Sequence, residues 1–165
     1  MSMLSIRNVG KRFGGLQVLE DVNFEVPGGS IFGLIGPNGA GKTTVFNLVT
    51  GLLQPTSGSI LLQGRNLVGT PSHEITQLGV ARTFQNIRIF RDMTLLENVV
   101  VGMHHLIDYG PLATFFATKT CRTAERRARE RAMELLSWVK LDHKADLTAD
   151  NLSYGDQRKL EFARA

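Results

Sequence analysis

Residues Gly36-Pro37-Asn38-Gly39-Ala40-Gly41-Lys42-Thr43 fill every fixed position of the pattern G-x-x-x-x-G-K-[ST]. No other stretch of the 165 residues constrains the fold as strongly. Glycines at these spacings let backbone N–H groups turn inward around an anion without Cβ collisions. Lys42 adds a point charge, and the Thr43 hydroxyl can ligate a divalent cation. A helix expected to begin near Lys42 aims its positive dipole end at the same anion.

The flanks agree with that reading. Ser30-Ile31-Phe32-Gly33-Leu34-Ile35 is short, mostly apolar and bounded by glycines, as a buried strand would be. Thr44 to Thr50 carries apolar residues at 45, 46, 48 and 49, and Gly51 follows as a helix stop. Strand, loop and helix in that order are what a phosphate-binding loop requires. The uncharged run from Thr44 to Gly64 is not a membrane span, because Asn47, Gln54 to Gly58 and Gln63 interrupt it.

Composition excludes little else. A hydrophobic content of 42% belongs to a globular chain and is too high for a disordered one. A net charge of +4 permits acidic partners without requiring them. Cys121 is the only cysteine, so no internal disulfide can form, which suits a reducing compartment. The N-terminus has no long apolar segment of signal-peptide type.

Along the chain, 3–11 and 17–26 read as strands separated by the turn Phe13-Gly14-Gly15, with alternating apolar residues at 18, 22, 24 and 26. A turn at 55–58 leads into a strand at 59–62. Residues 71–77 read as a short helix and 80–84 as a strand running into Gln85. Thr94-Leu95-Leu96-Glu97 is a capping box opening a helix to about His105. Tyr109 to Thr120 shows no clear period. A helix over 122–139 places Ala128, Ala132, Leu135 and Val139 on one face. Its arginines are interspersed with Glu125, Glu130 and Glu134, which marks a solvated face rather than a nucleic-acid surface. Ser153-Tyr154-Gly155-Asp156 reads as a second capping box, starting a helix that continues to the last residue. His73, His104, His105 and His143 have no metal-ligand or triad spacing.

A phosphate loop alone does not separate ATPases, GTPases and kinases. The N/T-K-x-D guanine reader has one near miss, Thr118-Lys119-Thr120-Cys121, which lacks the aspartate. Leu152-Ser153-Tyr154-Gly155-Asp156-Gln157 decides: it resembles the L-S-G-G-Q signature of ATP-binding-cassette (ABC) ATPases. Phe13 ahead of the loop, Gln85 in Arg82-Thr83-Phe84-Gln85-Asn86, and the glycines of Pro27-Gly28-Gly29-Ser30 match that family in the right order. The interval from Gln85 to Leu152 is longer than in many members. With Lys11-Arg12-Phe13-Gly14-Gly15 and Met93 to Val99, it makes the chain similar to the ATP-binding subunit of branched-chain amino acid importers, whose relatives serve urea and amide importers.

The resemblance implies an α/β fold: a P-loop NTPase core with an N-terminal antiparallel β region, Walker A and glutamine loop over 1–91, then a helical signature subdomain over 92–165. It implies ATP and Mg²⁺ as cofactors. Phe13 would lie against adenine; Gly36, Pro37, Asn38, Gly39, Ala40, Gly41, Lys42, Thr43 and Thr44 would hold the phosphates. Thr43 and Gln85 would complete the metal shell. Ser153, Gly155 and Gln157 would reach the ATP of a second ABC subunit in a head-to-tail dimer. Each role has a plain alternative: Phe13 as a turn-flanking aromatic, Gln85 as a surface residue, Ser153 as a helix cap only.

The family also needs an apolar strand ending in Asp-Glu and a later histidine. No run of four apolar residues followed by Asp-Glu occurs in the 165 residues. The expectation is therefore an N-terminal portion of the subunit that has no catalytic residue of its own, binds nucleotide and does not turn it over alone. Apolar surface on Ile31, Leu34 and Ile35 is expected to lack cover. The full subunit would be an ATPase, peripheral on the cytoplasmic face of the membrane, driving permease subunits and not binding nucleic acid. The competing expectations are a non-transport ABC ATPase and a nucleotide-binding module without catalysis.

Overall fold

The computed structural model describes residues 2–84, 87–103 and 119–165. The chain divides into two compact units, Met1–Val80 and Ala81–Ala165.

In the first unit, β1 (Ser2–Phe13) and β2 (Leu16–Pro27) form an antiparallel hairpin closed at Phe13 and Leu16. The other edge of β1 pairs antiparallel with β3 (Ser57–Leu62), and β4 (Arg65–Asn66) completes the order β2-β1-β3-β4. Sequence periodicity had no signal for β4, a two-residue strand. Ile6 faces Ile60 across β1 and β3, and both are buried with Val9 and Leu19. Helix α1 (Lys42–Val49) adds Val45 and Leu48, and α2 (Ser72–Gln77) adds Ile75, to this core. A fully buried side chain of this size contributes about 1.5–3 kcal/mol, so these contacts decide where α1 sits and hence where its N-terminus points.

Two expected strands are not formed. Residues 30–35 and 80–84 lie outside any strand. A strand needs a neighbour for its ladder, and among the described residues no element pairs with either segment. Ile31 and Ile35 are left exposed. Leu34 packs partly against the core, and Phe32 stacks on Phe24 with ring centroids 5.2 Å apart.

The second unit is helical: α3 (Leu95–Gly102), α4 (Lys119–Trp138) and α5 (Tyr154–Arg164), with 3-10 turns at Asp142–Lys144 and Ala149–Asn151. The expected box at Thr94 is present on both sides: Glu97 N donates to Thr94 Oγ1 at 3.1 Å, and Thr94 N donates to Glu97 Oε2 at 2.8 Å. The helix ends at Gly102; the expected end near His105 and the stretch at 104–118 lie outside the described residues. On α4, Ala128, Ala132 and Leu136 are buried against Leu95, Val99 and Leu160. Small residues allow close approach at another point too: a Cβ on Gly102 would lie 2.5 Å from the Arg164 carbonyl oxygen. Asn98, wholly buried, donates from Nδ2 to the carbonyls of Phe90, Met93 and Thr94 and accepts from Phe90 N at 2.9 Å. That one amide pins the turn between 90 and 94, which is also tied to the segment at 148–150 by a bridge between Thr94 and Thr148 and by Ala149 N and Asp150 N donating to the Met93 and Arg91 carbonyls. Among the described residues no helix is long and apolar enough to cross a membrane.

Candidate nucleotide-binding site

The loop between residues 36 and 41 ends in a left-handed residue. Gly41 is the N-cap of α1 with φ 80° and offers no side-chain oxygen, so the first-turn N–H donors of α1 are left for something else. A Cβ at Gly41 would lie 2.5 Å from Leu19 Cδ2 and 3.3 Å from the Val18 carbonyl oxygen. Strand β2 thus backs the loop directly, and only glycine fits between them. Lys42 Nζ folds over the loop and donates to the carbonyls of Gly36 and Pro37, each at 2.6 Å. An anion seated among the loop N–H groups competes with those carbonyls for the ammonium. Thr43 is exposed on the first turn of α1, and Gly36, Pro37, Asn38, Gly39 and Ala40 are exposed along the loop. Amide donors, an ammonium and an accessible hydroxyl are the donor set that a nucleotide's phosphates and Mg²⁺ call for, so the residues present fit both groups. Thr44 is half-buried behind them.

Phe13 sits at the β1–β2 turn, 44% exposed, with Lys11 Nζ 4.9 Å from its ring centroid. A half-exposed ring can stack on a base. Gln85, expected to ligate the metal, lies outside the described residues.

Ser153, Gly155 and Gln157 come together at the start of α5 in the second unit. Ser153 Oγ accepts from Asp156 N at 3.2 Å. The second capping box is only half formed. The Asp156 carboxylate turns away from the Ser153 backbone to Lys144 at 2.7 Å and Lys159 at 2.9 Å. Hydrogen bonds from Lys144 and then Lys159 hold its pKa down at about 2. Gly155 is open, with nothing nearer its Cβ position than Ser153 Oγ at 4.0 Å, so its backbone can approach a ligand. Gln157 Nε2 donates to the Leu152 carbonyl at 3.2 Å.

Sequence reasoning missed Asn98, Arg158 and Glu161. Arg158 and Glu161 stand in Gln157-Arg158-Lys159-Leu160-Glu161, a charged stretch of the last helix that carries no motif of its own. Glu161 is in fact buried, and no local pattern marks it.

A glycine-shaped anion cradle at a helix N-terminus, with a lysine over it, defines the first unit as a phosphate-loop module. The profile of the family described as ABC transporter matches residues 19–165. The chain is 46% identical over 162 residues to the high-affinity branched-chain amino acid transport ATP-binding protein LivG of Escherichia coli and, equally, to BraF of Pseudomonas aeruginosa. In both cases the match covers 98% of this chain and 64% of the relative. Among solved structures, the ADP conformation of an ATP-binding cassette of an ABC transporter superposes with a TM-score of 0.81 at 32% identity, covering 99% of this chain and 64% of that one. The chain therefore belongs to the ABC transporter family, as an ATP-binding cassette. It spans 64% of the length of LivG and of BraF.

Proposed function

We propose that this chain is the nucleotide-binding part of an ABC importer ATPase, and that the full-length subunit couples ATP binding and hydrolysis to uptake of branched-chain amino acids or related solutes. The observation that carries the reading is the cradle itself: Gly41 pressed against Leu19 and Val18, with Lys42 folded over the loop carbonyls. The likeness to LivG and BraF supports the choice of solute class.

In this reading the loop N–H groups and Lys42 hold the β- and γ-phosphates, Thr43 and Gln85 hold Mg²⁺, and Phe13 lies against adenine. Bound Mg²⁺ neutralises phosphate charge; the chain's own residues position and enclose the nucleotide. Ser153, Gly155 and Gln157 serve the ATP of a second subunit, with the start of α5 favouring its negative charge. The dimer would work peripherally on permease subunits at the cytoplasmic face of the membrane. Orienting the attacking water requires a carboxylate, and the reading places that group in the full-length subunit, outside these 165 residues.

Titration calorimetry with Mg-ATP tests the cradle. Lys42→Ala removes a charge-assisted contact of about 1.5–3 kcal/mol, so affinity is expected to fall at least about tenfold. Unchanged affinity in the folded variant would remove the phosphate loop from the reading.

A further inference from the structure

Glu161 is 4% exposed and follows the fully buried Leu160 on α5. Burying a carboxylate is unfavourable unless its oxygens are paired and hydrogen-bonded. Both oxygens of Glu161 are engaged. Oε1 accepts from the Phe84 backbone N–H at 3.3 Å, and Oε2 accepts from Arg158 Nη1 at 3.2 Å. The same Nη1 donates to the Phe84 carbonyl at 2.8 Å. Two side chains one helical turn apart thus hold both main-chain polar groups of a single residue, 74 and 77 positions away in sequence. The rest of the guanidinium reaches back along α5, where Nε and Nη2 donate to Tyr154 Oη at 3.3 and 3.0 Å. The Phe84 ring is gripped as well, with the Arg82 and Arg88 guanidinium carbons 4.9 and 4.4 Å from its centroid.

We propose that Tyr154, Arg158 and Glu161 are positioning residues that clamp the backbone of Phe84 to the start of α5, so that residues 82–84 and the Ser153–Gly155 segment move as one body. The proposal rests on the nucleotide-binding reading above, in which Gln85, the next residue in sequence, helps to hold Mg²⁺ at one nucleotide's phosphates while Ser153 and Gly155 address the ATP of a second subunit. A shift of the main chain at 84 is then passed to the signature segment through three side chains at i, i+4 and i, i+3 spacing. The planar guanidinium serves three acceptors at once, which a lysine cannot do. An apolar residue at 161 would fill the same space but leave the Phe84 N–H without its acceptor.

Two measurements test this. The first is hydrogen exchange at the Phe84 amide, followed by nuclear magnetic resonance. Arg158→Lys is expected to speed exchange about tenfold or more, and Glu161→Ala to exceed it. Glu161→Gln should recover part of the protection, because its amide oxygen can still accept from Phe84. The second is ATP turnover by the full-length subunit. Arg158→Lys and Tyr154→Phe are expected to lower kcat about tenfold while KM stays within about twofold, since neither residue belongs to the phosphate loop. If Glu161→Ala does not fold, Arg158→Lys and Tyr154→Phe carry both measurements. Unchanged Phe84 exchange in folded Arg158→Lys overturns the clamp; faster exchange with unchanged kcat overturns its role in the cycle. If the unsubstituted subunit shows no turnover, the ATPase reading falls, and exchange at Phe84 still decides the clamp.

Discussion

Replacing Gly41 by alanine puts a methyl group where β2 leaves no room. The residue has φ 80°, and a left-handed backbone costs an L-residue about 1–2 kcal/mol. The new Cβ would then lie 2.5 Å from Leu19 Cδ2 and 3.3 Å from the Val18 carbonyl oxygen. Leu19 is 6% exposed within the core of the first unit, so its methyl moves only by leaving its rotamer, at about 0.5–1.5 kcal/mol. The Val18 carbonyl lies in β2 at a register shift, between the pairs Lys11–Leu19 and Arg12–Gln17. Together these predict a loss of about 2–3 kcal/mol in unfolding free energy for Gly41→Ala. Gly39→Ala separates the two effects. Gly39 also has a positive φ, 84°, yet nothing lies within 4 Å of its Cβ position, so only the backbone cost of about 1–2 kcal/mol applies. Urea denaturation of both variants beside the parent measures the difference, and calorimetry with Mg-ATP reads the loop. Gly41→Ala is expected to lose more on both counts. Equal losses would show that the packing of Leu19 against the loop does not hold its shape.

Two further outcomes follow from the geometry. Asp156, lowered from 3.8 to about 2 by its lysines, contributes stability that is fully present above its unfolded pKa and is lost as pH falls through the folded value. At about 1.4 kcal/mol for each tenfold change in proton affinity this is at most about 2–3 kcal/mol, and screening at the half-exposed Lys159 reduces it to about 1. Asp156→Asn should therefore be less stable than the parent at neutral pH and converge with it between pH 3.8 and about 2; a constant gap across that window in acid denaturation would exclude the ion pairs as its source. Phe13→Ala should weaken ATP and ADP alike by the roughly 1–3 kcal/mol of base stacking, with Phe13→Tyr tolerated. Calorimetry giving equal affinities for Phe13→Ala and the parent would assign the ring to its contact with Lys11.

Much of the architecture was legible because the signals were local. The glycines and lysine at 36–43, the alternation along β2, the box at Thr94 and the small-residue stripe on α4 each depend on neighbours a few positions away, and each element formed within a few residues of its expected place. The errors share one cause. Residues 30–35 and 80–84 have strand-like composition, but a strand exists only where another strand meets it, and none does among the described residues. Asp156 has a box-like position after Ser153, but Lys144, twelve residues earlier, draws its carboxylate elsewhere.

The sequence by itself therefore determined the chemistry on offer: a phosphate loop, a signature segment, and the family to which both belong. The tertiary structure alone decided which groups are held and by what. Gly41 against Leu19 and Glu161 with Arg158 on Phe84 join residues distant in the chain, and Asn98 under the turn at 90–94 is set by burial that its own type does not announce. Whether a charge is solvated or buried is a property of the packed environment and not of the residue. Nothing adjacent to Glu161 in sequence distinguishes it from the solvated charges of the same helix.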